Sequence, residues 1–458
     1  MARGKRRRQT VPVATVPVPW TAPTASGPVN ATVRLPGSKS MTARALVLAA
    51  ISVGTSTLYH PLRARDTELM AGGLRALGTH VSTVDDARWL VRPRPLAGPA
   101  HVDAGLAGTV MRFLPAVAGL ADGPVSFDGD TRARARPLLP LVSALRKVGV
   151  RIDAAPSGGL PITVHGAGRV AGGEVTIDAS ASSQLISGLL LAAADFDHGM
   201  VVRHEGPPVP AGQQLRMTVR MLRSAGAAVD NSTPNVWTVA PGRLSGRGWD
   251  IEPDLSAAAP FLAAALVAGG SVTIPGWPVA TAQPGAKLRR LLTEMGGRST
   301  LSTEGLTVRG TGQIHGLDAD LSDVTELTMV LAALAALADS PSRFTGIAHV
   351  WGHETDRLGA LARELNGLGA EVSELPDGLA IKPGRLRGGT FQTYDDHRLA
   401  HAAAVLGLAV PGLRLTDVAC TAKTMPSFRA LWESMVGRPG TQPEPGFDPG
   451  EHGRGDRR

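Results

Sequence analysis

The stretch Leu35-Pro36-Gly37-Ser38-Lys39-Ser40, followed by the apolar run from Ala45 to Ala50, decides how this chain folds. Its pattern predicts the end of a strand, a Pro-Gly turn and the start of a helix. Ser38 is a residue type that favours a helix N-cap. The unpaired N–H groups at such a helix start attract an anion, and Lys39 and Arg44 add positive charge beside them. Taken alone, the stretch fits an ordinary capped helix with solvated basic residues equally well.

The same pattern recurs along the chain with a period of roughly 70 residues. A small or polar helix start, an Ala/Leu-rich run, a Gly and a β-like segment occur at residues 40–58, 109–127, 182–202, 256–274, 324–344 and 396–415. Helix ends written Leu-x-x-x-Gly occur at Leu74–Gly78, Leu145–Gly149, Leu222–Gly226, Leu292–Gly296 and Leu365–Gly369. The Gly is expected just after each helix, where the backbone needs a positive φ. We therefore predict six α/β units, the sixth cut short by the C-terminus.

Composition places the chain among globular proteins, with 43% apolar and 19% charged residues. Residues 255–286 carry no charge, but Gly and Pro interrupt this run, so we predict no transmembrane helix. Cys420 is the one cysteine, which excludes an intrachain disulfide framework and fits a reducing compartment. The N-terminus shows no apolar core of a secretory signal. We therefore expect a cytoplasmic protein.

The formal net charge of +8 is concentrated at the N-terminus. Five positive charges fall within residues 3–8, whereas the four Arg in residues 437–458 are balanced by two Glu and two Asp. Residues 1–28 and 437–458 read as disordered tails, the first of them basic. The folded body is then too weakly basic for a nucleic-acid surface, and such a role would rest on the N-terminal arm alone.

Eight motifs, in this order and at the repeat spacing, resemble the 5-enolpyruvylshikimate-3-phosphate (EPSP) synthase family over residues 29–436. They are residues 36–40 with Arg44; 107–112; 129–132 through Arg136-Pro137; 182–184; Asp323; 353–357; 396–398; and 420–424. The resemblance implies an α/β fold of two similar domains, each built from three βαβαββ repeats, with the active site in the interdomain cleft. One domain would span residues 38–251, and the other would combine residues 29–37 with 252–436.

The family transfers the enolpyruvyl group of phosphoenolpyruvate to the 5-hydroxyl of shikimate 3-phosphate and releases phosphate, a step towards chorismate and the aromatic amino acids. The resemblance assigns the shikimate 3-phosphate site to Lys39, Ser40, Arg44, Ser182, Ser183, Gln184, Asp323, His349 and His353. It assigns the phosphoenolpyruvate site to Lys39, Gly108, Arg132, Gln184, Arg357, Arg398 and Lys423. Asp323 is expected to be the general base, Glu354 the proton-transferring carboxyl, and Lys39 a third catalytic group. The resemblance implies no cofactor, no metal and a monomer that binds small molecules only.

The chain departs from the family at several expected contacts. Ala43 replaces an Asn, and residues 211–213 replace a Ser-x-Pro motif that supplies a phosphate-contacting hydroxyl. Gln214 stands where an aromatic residue or His is expected. His349 and His353 replace the frequent Asn and Lys, and because His titrates near neutral pH, His353 predicts activity that responds to pH between about 6 and 8.

Other functions remain open. The sister transferase acting on UDP-N-acetylglucosamine carries a Cys in the region of Thr131 to Ala135, where this chain has none. A transferase using another acceptor, or a non-catalytic anion-binding paralogue, fits the changes at Ala43 and Ala211. A metal site is conceivable from His349, His353 and Glu354, or from the His397 and His401 pair, although no thiol joins either set. Asp323 is also a residue type that caps the following helix.

Overall fold

The structure is a computed structural model, and it describes residues 19–85, 87–348 and 355–437. Helices and strands alternate in this part of the chain, as the repeated pattern predicts. The helices are α1 Lys39–Ala50, α2 Arg65–Ala76, α3 Gly108–Ala118, α4 Thr131–Arg134, α5 Leu139–Lys147, α6 Ser183–Ala192, α7 Gly212–Ser224, α8 Ala259–Ala268, α9 Leu288–Glu294, α10 Thr328–Ala336, α11 Arg357–Leu368, α12 His397–Gly407 and α13 Phe428–Gly437.

The strands are short and fall between these helices. They are β1 Trp20–Thr21, β2 Val29–Thr32, β3 Ser56–Tyr59, β4 His80–Asp85, β5 Arg88–Arg92, β6 Ala100–Asp103, β7 Asp122–Asp128, β8 Arg151–Ala154, β9 Ile162–Ala167, β10 Gly173–Ile177, β11 Met200–His204, β12 Val229–Asp230, β13 Val236–Val239, β14 Gly248–Asp250, β15 Gly270–Ile274, β16 Arg298–Ser302, β17 Gly305–Gly310, β18 Asp318–Asp320, β19 Ser342–Thr345, β20 Glu371–Leu375, β21 Gly378–Lys382, β22 Thr390–Phe391 and β23 Arg414–Leu415.

These strands form five four-stranded sheets and one three-stranded sheet among the described residues. In the sheet β6-β7-β9-β8, β6 runs parallel to β7, and β9 is antiparallel to both β7 and β8. The sheets β10-β11-β13-β12 and β18-β19-β21-β20 repeat this arrangement. Together with the intervening helices this is the βαβαββ order, so the predicted fold class is confirmed.

Strands that are distant in sequence complete the other three sheets. β14 pairs in parallel with β3, β2 pairs in parallel with β15, and β1 pairs antiparallel with β23. The chain therefore crosses twice between two groups of three sheets. The two crossings lie side by side, because the Ser38 N–H donates to the Glu252 carbonyl at 2.8 Å and the Asp254 N–H donates to the Pro36 carbonyl at 3.0 Å. We call this paired crossing, residues 36–38 and 251–254, the hinge.

Each group of sheets encloses its own hydrophobic core. One core takes its fully buried residues from Ala43 to Ile251, and the other from Trp20 to Val33 and from Leu255 to Met435. We propose that these cores correspond to the two domains expected at residues 38–251 and at 29–37 plus 252–436. We refer to them as the first and second units.

The Ala- and Leu-rich helices stand at the centre of each unit. α1, α3 and α6 pack against one another in the first unit, and α8, α10 and α12 do so in the second. Apolar residues surround α8 and α10, and every described side chain of α10 is buried. A helix that is apolar all round is stable only inside a protein, which explains this central position.

Five glycines end helices as the Leu-x-x-x-Gly pattern predicts. Their φ angles lie between 95° and 111°, in the left-handed region that favours Gly. They are Gly78, Gly149, Gly226, Gly296 and Gly369.

The expectation of a disordered tail over residues 1–28 was wrong for residues 19–28. Trp20 is 5% exposed, and its indole N–H donates to the Glu433 carboxylate at 2.7 Å. The Ala22 and Ala25 N–H groups donate to the Leu413 and Leu408 carbonyls, each at 3.0 Å. The segment is ordered because β1 pairs with β23, which would otherwise be the edge strand of its sheet. Residues 1–18 and 438–458 lie outside the described residues.

None of the described helices combines the length and the apolar character that a membrane span requires.

Candidate active site

Helix N-termini from both units meet at one cleft. Its walls are formed by the first residues of α1, α3, α6, α7, α11 and α12 and by the short turn that precedes α10. The lining residues are Lys39, Ser40, Asp66, Gly108, Thr109, Arg112, Arg136, Ser182, Ser183, Gln184, Pro210, Ala211, Gln214, Thr325, Glu326, Arg357, His397 and Arg398. Helix N-termini carry partial positive charge and unpaired N–H groups, so their convergence attracts anions.

Eight of the predicted site residues lie on these walls. They are Lys39, Ser40, Gly108, Ser182, Ser183, Gln184, Arg357 and Arg398. Two serines cap the helices they precede: the Ser38 Oγ accepts from the Met41 N–H at 3.4 Å, and the Ser182 Oγ accepts from the Gln184 N–H at 3.3 Å. Lys39 from the first unit and Arg398 from the second thus face a common space.

Lys39 is held by two acidic residues. Its ammonium donates to the Asp66 Oδ2 at 3.1 Å, and its backbone N–H donates to the Asp254 Oδ2 at 3.1 Å. Asp66 is 2% exposed, and its Oδ1 has no hydrogen-bond partner within the described chain. The ion pair with Asp66 fixes the Lys39 ammonium at the cleft wall, where it can contact a bound anion.

Two arginines and a glutamine surround Gly108. The Arg112 Nη1 donates to the Gln184 Oε1 at 2.9 Å, and the Arg136 Nη1 donates to the Leu106 carbonyl at 3.1 Å. A Cβ on Gly108 would lie within 3.0 Å of all three side chains, so only Gly leaves room there. Burial, together with the neighbouring Arg136 cation, holds the pKa of Arg112 well below its usual value. Arg112 is buried and Arg136 is partly buried, and two cations this close together favour the binding of an anion at this wall.

The facing wall carries Arg357 and Arg398. Arg357 makes a bidentate ion pair with Asp396, at 2.6 Å and 3.2 Å, and both side chains are buried. Asp396 also caps α12, because its Oδ1 accepts from the Arg398 N–H at 2.9 Å. The Arg398 Nη1 donates to the Glu326 carbonyl at 2.7 Å. One carboxylate therefore positions both arginines.

Glu326 is an acidic residue of the cleft that the sequence analysis missed. Its Oε1 accepts from the Gln214 Nε2 at 3.2 Å, across the gap between the two units. Its Oε2 is buried and has no hydrogen-bond partner among the residues that the structure describes. A carboxylate with one anchored oxygen and one available oxygen can accept a proton from a bound hydroxyl.

Asp323, the expected general base, does not line the cleft. Its side chain is 36% exposed, and its Oδ2 lies 2.8 Å from the Lys287 ammonium and 3.6 Å from the Arg216 guanidinium. Asp323 does not cap a helix either, since the 3₁₀ turn Thr325–Leu327 begins after Val324 and has no side-chain cap. That turn directs Glu326, three residues later, towards the cleft.

Arg132 and Arg44 also lie away from the cleft wall. Arg132 is about half exposed, and it reaches the second unit through the Tyr394 carbonyl at 3.2 Å and the Asp395 carboxylate at 3.7 Å. Arg136, four residues later, takes the position in the cleft that was expected for Arg132. Arg44 is 1% exposed, and burial lowers its pKa to about 9 although Glu326 opposes this shift.

The Arg44 guanidinium is fully engaged inside the first unit. It donates to the Thr218 and Ser187 hydroxyls and to the carbonyls of Ser40 and Gln214, at 2.8 to 3.5 Å. A direct contact with substrate would require some of these hydrogen bonds to break. Arg44 therefore stabilises the first turns of α1 and α7, whose Ser40 and Gln214 carbonyls it binds, and it lies behind the cleft wall.

Lys423 is 7% exposed and lies in the 3₁₀ turn Ala419–Lys423, where its charge acts on Asp395. It does not line the cleft. Three further predicted residues, His349, His353 and Glu354, lie outside the described residues.

Some of the residues that the sequence analysis missed lie inside the quoted motifs, and others do not. Arg112 and Arg136 stand inside motifs that carried the resemblance, but no role was assigned to them. Gln214 was noted only as a departure. Asp66 follows two arginines at the start of α2 and belongs to no motif, so only its distance to Lys39 reveals it.

The described residues support neither a metal site nor a cysteine nucleophile. They contain no group of three or more His, Cys, Asp or Glu that could hold a metal ion. His397 and His401 are buried with their ring centroids 5.9 Å apart, and burial holds the pKa of His401 well below its usual value. Burial raises the pKa of the Cys420 thiol, which makes it a poor nucleophile.

A sequence profile of the EPSP synthase (3-phosphoshikimate 1-carboxyvinyltransferase) family matches residues 23–432. Two structures of EPSP synthase from Acinetobacter baumannii are similar in fold, each with 22% identity over 90% of this chain and 97% of the other, at TM-scores of 0.75 and 0.74. The enolpyruvyl transferase NikO from Streptomyces tendae is similar at 18% identity and a TM-score of 0.69, over 90% of this chain and 96% of the other. By its sequence match along nearly its whole length, the chain belongs to the EPSP synthase family of enolpyruvyl transferases.

Proposed function

We propose that this enzyme transfers the enolpyruvyl group of phosphoenolpyruvate to the 5-hydroxyl of shikimate 3-phosphate and releases inorganic phosphate. The observation that carries this proposal is the pairing of two cationic walls across one cleft. Lys39, Arg112 and Arg136 lie on one wall and Arg357 and Arg398 on the other. Two polyanionic substrates require this density of positive charge.

Phosphoenolpyruvate is assigned to the space between these walls. Arg357 and Arg398 suit its carboxylate, because guanidinium N–H groups bind carboxylates strongly. Asp396 holds the Arg357 side chain and the Arg398 backbone in place. Its phosphate is assigned to the wall formed by Lys39 and by Arg136, whose guanidinium lies against Gly108. Lys423 remains a proposed contact for the departing phosphate.

Shikimate 3-phosphate is assigned to the start of α6. Ser182 and Ser183 offer hydroxyl and backbone donors for its phosphate, and Gln184 lies beside them. Lys39 and Ser40 at the start of α1 complete its binding site. His349 and His353 stay predictions for its ring hydroxyls.

Glu326 replaces Asp323 as the proposed general base. It accepts the proton of the 5-hydroxyl while that oxygen bonds to C2 of phosphoenolpyruvate and C3 gains a proton, for which Glu354 remains the predicted donor. The tetrahedral intermediate then loses a proton from C3 as the bond from C2 to the phosphate oxygen breaks. The products are the enol ether and inorganic phosphate, and positive charge that develops at C2 is balanced by the substrates' own anionic groups.

Phosphate release with both substrates tests the reaction, and two carboxylate variants test the base. We expect Glu326→Gln to lower kcat by about 100-fold or more, the scale of a lost general base. Asp323→Asn is the matched control, since its carboxylate lies with Lys287 outside the cleft, and we expect kcat within about threefold of the wild type. If Asp323→Asn abolishes turnover while Glu326→Gln keeps it, the assignment is wrong.

A different acceptor is the second candidate, because the N-cap of α7 lacks a hydroxyl for a phosphate. Ala211 occupies the N-cap of α7 with a φ of 52° and offers no hydroxyl. Wild-type turnover with phosphoenolpyruvate and another hydroxyl acceptor, without turnover of shikimate 3-phosphate, would favour it. Absence of turnover together with tight binding of both anions would favour the non-catalytic reading. A cytoplasmic monomer that binds neither nucleic acid nor a membrane stays a prediction.

A further inference from the structure

The turn that precedes α12 has a costly backbone conformation. Tyr394 and Asp395 have φ angles of 53° and 57°, in the left-handed region. Five non-Gly residues of the described chain have a positive φ, and these two are the only neighbours in sequence among them. A left-handed backbone is unfavourable for residues with a Cβ, above all for bulky ones, and it persists only where the surrounding structure holds it. We call these two residues the left-handed turn.

The left-handed turn lies directly before the carboxylate that orders one wall of the cleft. Asp396 follows it in the chain, is buried, and binds the Arg357 side chain at 2.6 Å and 3.2 Å. It also accepts from the Arg398 N–H at 2.9 Å and so caps α12. A change in the turn would therefore move Asp396 away from both arginines.

The Tyr394 side chain fastens the left-handed turn to α11. Its hydroxyl donates to the Glu364 Oε1 at 2.7 Å and accepts from the Arg363 Nη1 at 3.0 Å. The Arg363 guanidinium also lies 5.9 Å from the centroid of the Tyr394 ring. Both hydrogen bonds involve a charged group, and such bonds are stronger than those between neutral groups. They oppose the tendency of the turn to relax.

Glu364 connects this turn to the helix that carries Arg357. It is 8% exposed, and its Oε2 accepts from the Gln392 N–H at 2.9 Å, two residues before Tyr394. One buried carboxylate thus binds the backbone before the turn and the side chain within it. Arg357 begins α11 and Arg398 lies in the first turn of α12, so these contacts fix the two helices relative to each other.

The contact of the turn with the first unit is weaker. The Arg132 Nη1 donates to the Tyr394 carbonyl at 3.2 Å and lies 3.7 Å from the Asp395 carboxylate. The side chains of Arg132 and Asp395 are both more than half exposed, and exposed ion pairs contribute little. The Tyr394 hydroxyl, rather than this contact, is therefore the main support of the turn.

We propose that Tyr394 is a positioning residue for phosphoenolpyruvate. Its hydroxyl, held by Glu364 and Arg363, stabilises the left-handed turn, and the turn holds Asp396 against the two arginines of the cleft wall. Without the hydroxyl the turn relaxes in a fraction of the molecules, and those molecules lose affinity for the carboxylate of phosphoenolpyruvate. This inference rests on the proposed function, which assigns that carboxylate to the same arginines.

Steady-state kinetics of Tyr394→Phe tests the inference. The variant keeps the ring and removes both hydrogen bonds, and we expect the KM for phosphoenolpyruvate to rise about tenfold. The KM for shikimate 3-phosphate and kcat should stay within about twofold of the wild type, because the closed complex keeps its contacts. A hydroxyl with a merely structural role would lower kcat through loss of folded enzyme and leave both KM values unchanged. That result would overturn the inference.

Tyr59→Phe is the matched control. Tyr59 is the only other tyrosine of the chain, is 40% exposed on β3, and does not line the cleft. We expect its kcat and both KM values to stay within about twofold of the wild type. An equal rise of the KM for phosphoenolpyruvate in Tyr59→Phe and Tyr394→Phe would contradict a specific role for Tyr394.

Asp395→Gly tests whether the hydroxyl acts through the backbone. Gly adopts a positive φ at little cost, so the turn then depends less on the hydroxyl. When Asp395→Gly is also present, we expect Tyr394→Phe to raise the KM for phosphoenolpyruvate by no more than about threefold. An equal rise with and without Asp395→Gly would show that the hydroxyl does not act on the turn, and would overturn the proposal.

Hydrogen exchange separates this inference from the proposed reaction. The Arg398 N–H is protected by the Asp396 cap, and we expect it to exchange about fivefold faster in Tyr394→Phe than in the wild type or Tyr59→Phe. Faster exchange supports the positioning role even if the wild type shows no turnover, in which case the proposed reaction is wrong and the role of the turn stands. Unchanged exchange in Tyr394→Phe overturns the positioning role whether or not the wild type turns over.

Discussion

At the scale of single residues, the contact between Gln214 and Glu326 joins the two units at the proposed general base. Gln214→Met keeps the length of the side chain and removes the donor to the Glu326 Oε1. Because the carboxylate then loses its anchor, we expect kcat to fall about tenfold, the worth of one hydrogen bond to a charged group. Steady-state kinetics of phosphate release measures this loss.

The backbone carbonyl of Gln214, which accepts from Arg44 and Thr218, is unchanged in that variant, so thermal stability should change little. Gln213→Met is the matched control, because Gln213 faces a surface groove on the other side of α7. Equal kcat values for the two variants would show that Gln214 does not position the base.

A second residue-scale prediction concerns pH and stability. Burial raises the pKa of Asp195 to about 6, with partial opposition from Arg243. The folded protein therefore holds this proton more tightly than the unfolded chain does, and the stability it contributes is lost as pH rises from about 4 to about 6. We expect Asp195→Asn to be more stable than the wild type by about 1 kcal/mol at pH 7, after allowance for partial exposure, and equally stable at pH 4.

Urea unfolding of both proteins at pH 4 and pH 7 checks this prediction. A wild type that is the more stable protein at pH 7 would show that the Asp195 carboxylate is stabilised rather than penalised in the fold.

The sequence predicted which residue types the site contains. It did not predict which of two similar residues, a few positions apart, lines the cleft. Asp323 and Glu326 lie three residues apart, and Arg132 and Arg136 lie four apart. The choice within each pair depends on a short turn, Thr325–Leu327 in one case and α4 in the other. Turns of this length have no periodicity that a sequence reveals. Lys39, Arg357 and Arg398 were easier to place, because each lies in the first turn of a helix of 11 or 12 residues.

At the scale of secondary-structure elements, two Gly→Ala substitutions are expected to change the free energy of unfolding in opposite directions. One is at a Gly that ends a helix, and the other is at a Gly inside a helix. A Cβ on Gly226 would meet no atom closer than 3.9 Å, so the cost of Gly226→Ala comes from its φ of 98° alone. We expect a destabilisation of about 1 kcal/mol. Gly72→Ala lies in the interior of α2 with open space around it, and we expect a stabilisation of about 0.5–1 kcal/mol.

Chemical denaturation of the two variants measures both effects. A similar loss of stability in both would indicate that packing, rather than backbone conformation, controls these positions.

The elements within each repeat were predictable, and the strands that close the sheets were not. Val81, Ile152, Val229 and Val372 each follow a helix-ending Gly within a few residues and fall in strands. β1 was assigned to a tail because its two residues pair with β23, almost 400 positions later. A two-residue strand has no alternation to recognise, and its order depends on a distant edge.

At the scale of the whole molecule, the two units touch across the cleft through a few polar contacts. The Ala211 N–H donates to the Ser322 carbonyl at 3.1 Å, and Gln214 reaches Glu326. Arg216 lies 3.6 Å from Asp323, and Arg132 spans the gap to Asp395. We expect the two units to separate at the hinge, in which case these contacts favour the closed arrangement without fixing it.

The double variant Arg132→Gln/Arg216→Gln tests that balance. Each exposed ion pair contributes at most about 1 kcal/mol, so together they shift the closed-to-open ratio by up to about tenfold. We expect a larger radius of gyration by small-angle scattering without substrates, and the wild-type value once both substrates are bound. KM should rise about three- to tenfold while kcat stays near the wild-type value, because the closed complex keeps all its catalytic contacts. Arg223→Gln, an exposed arginine of α7 that does not cross the cleft, should leave both measurements unchanged. A fall in kcat at constant KM would mean instead that Arg132 or Arg216 contacts the reacting groups directly.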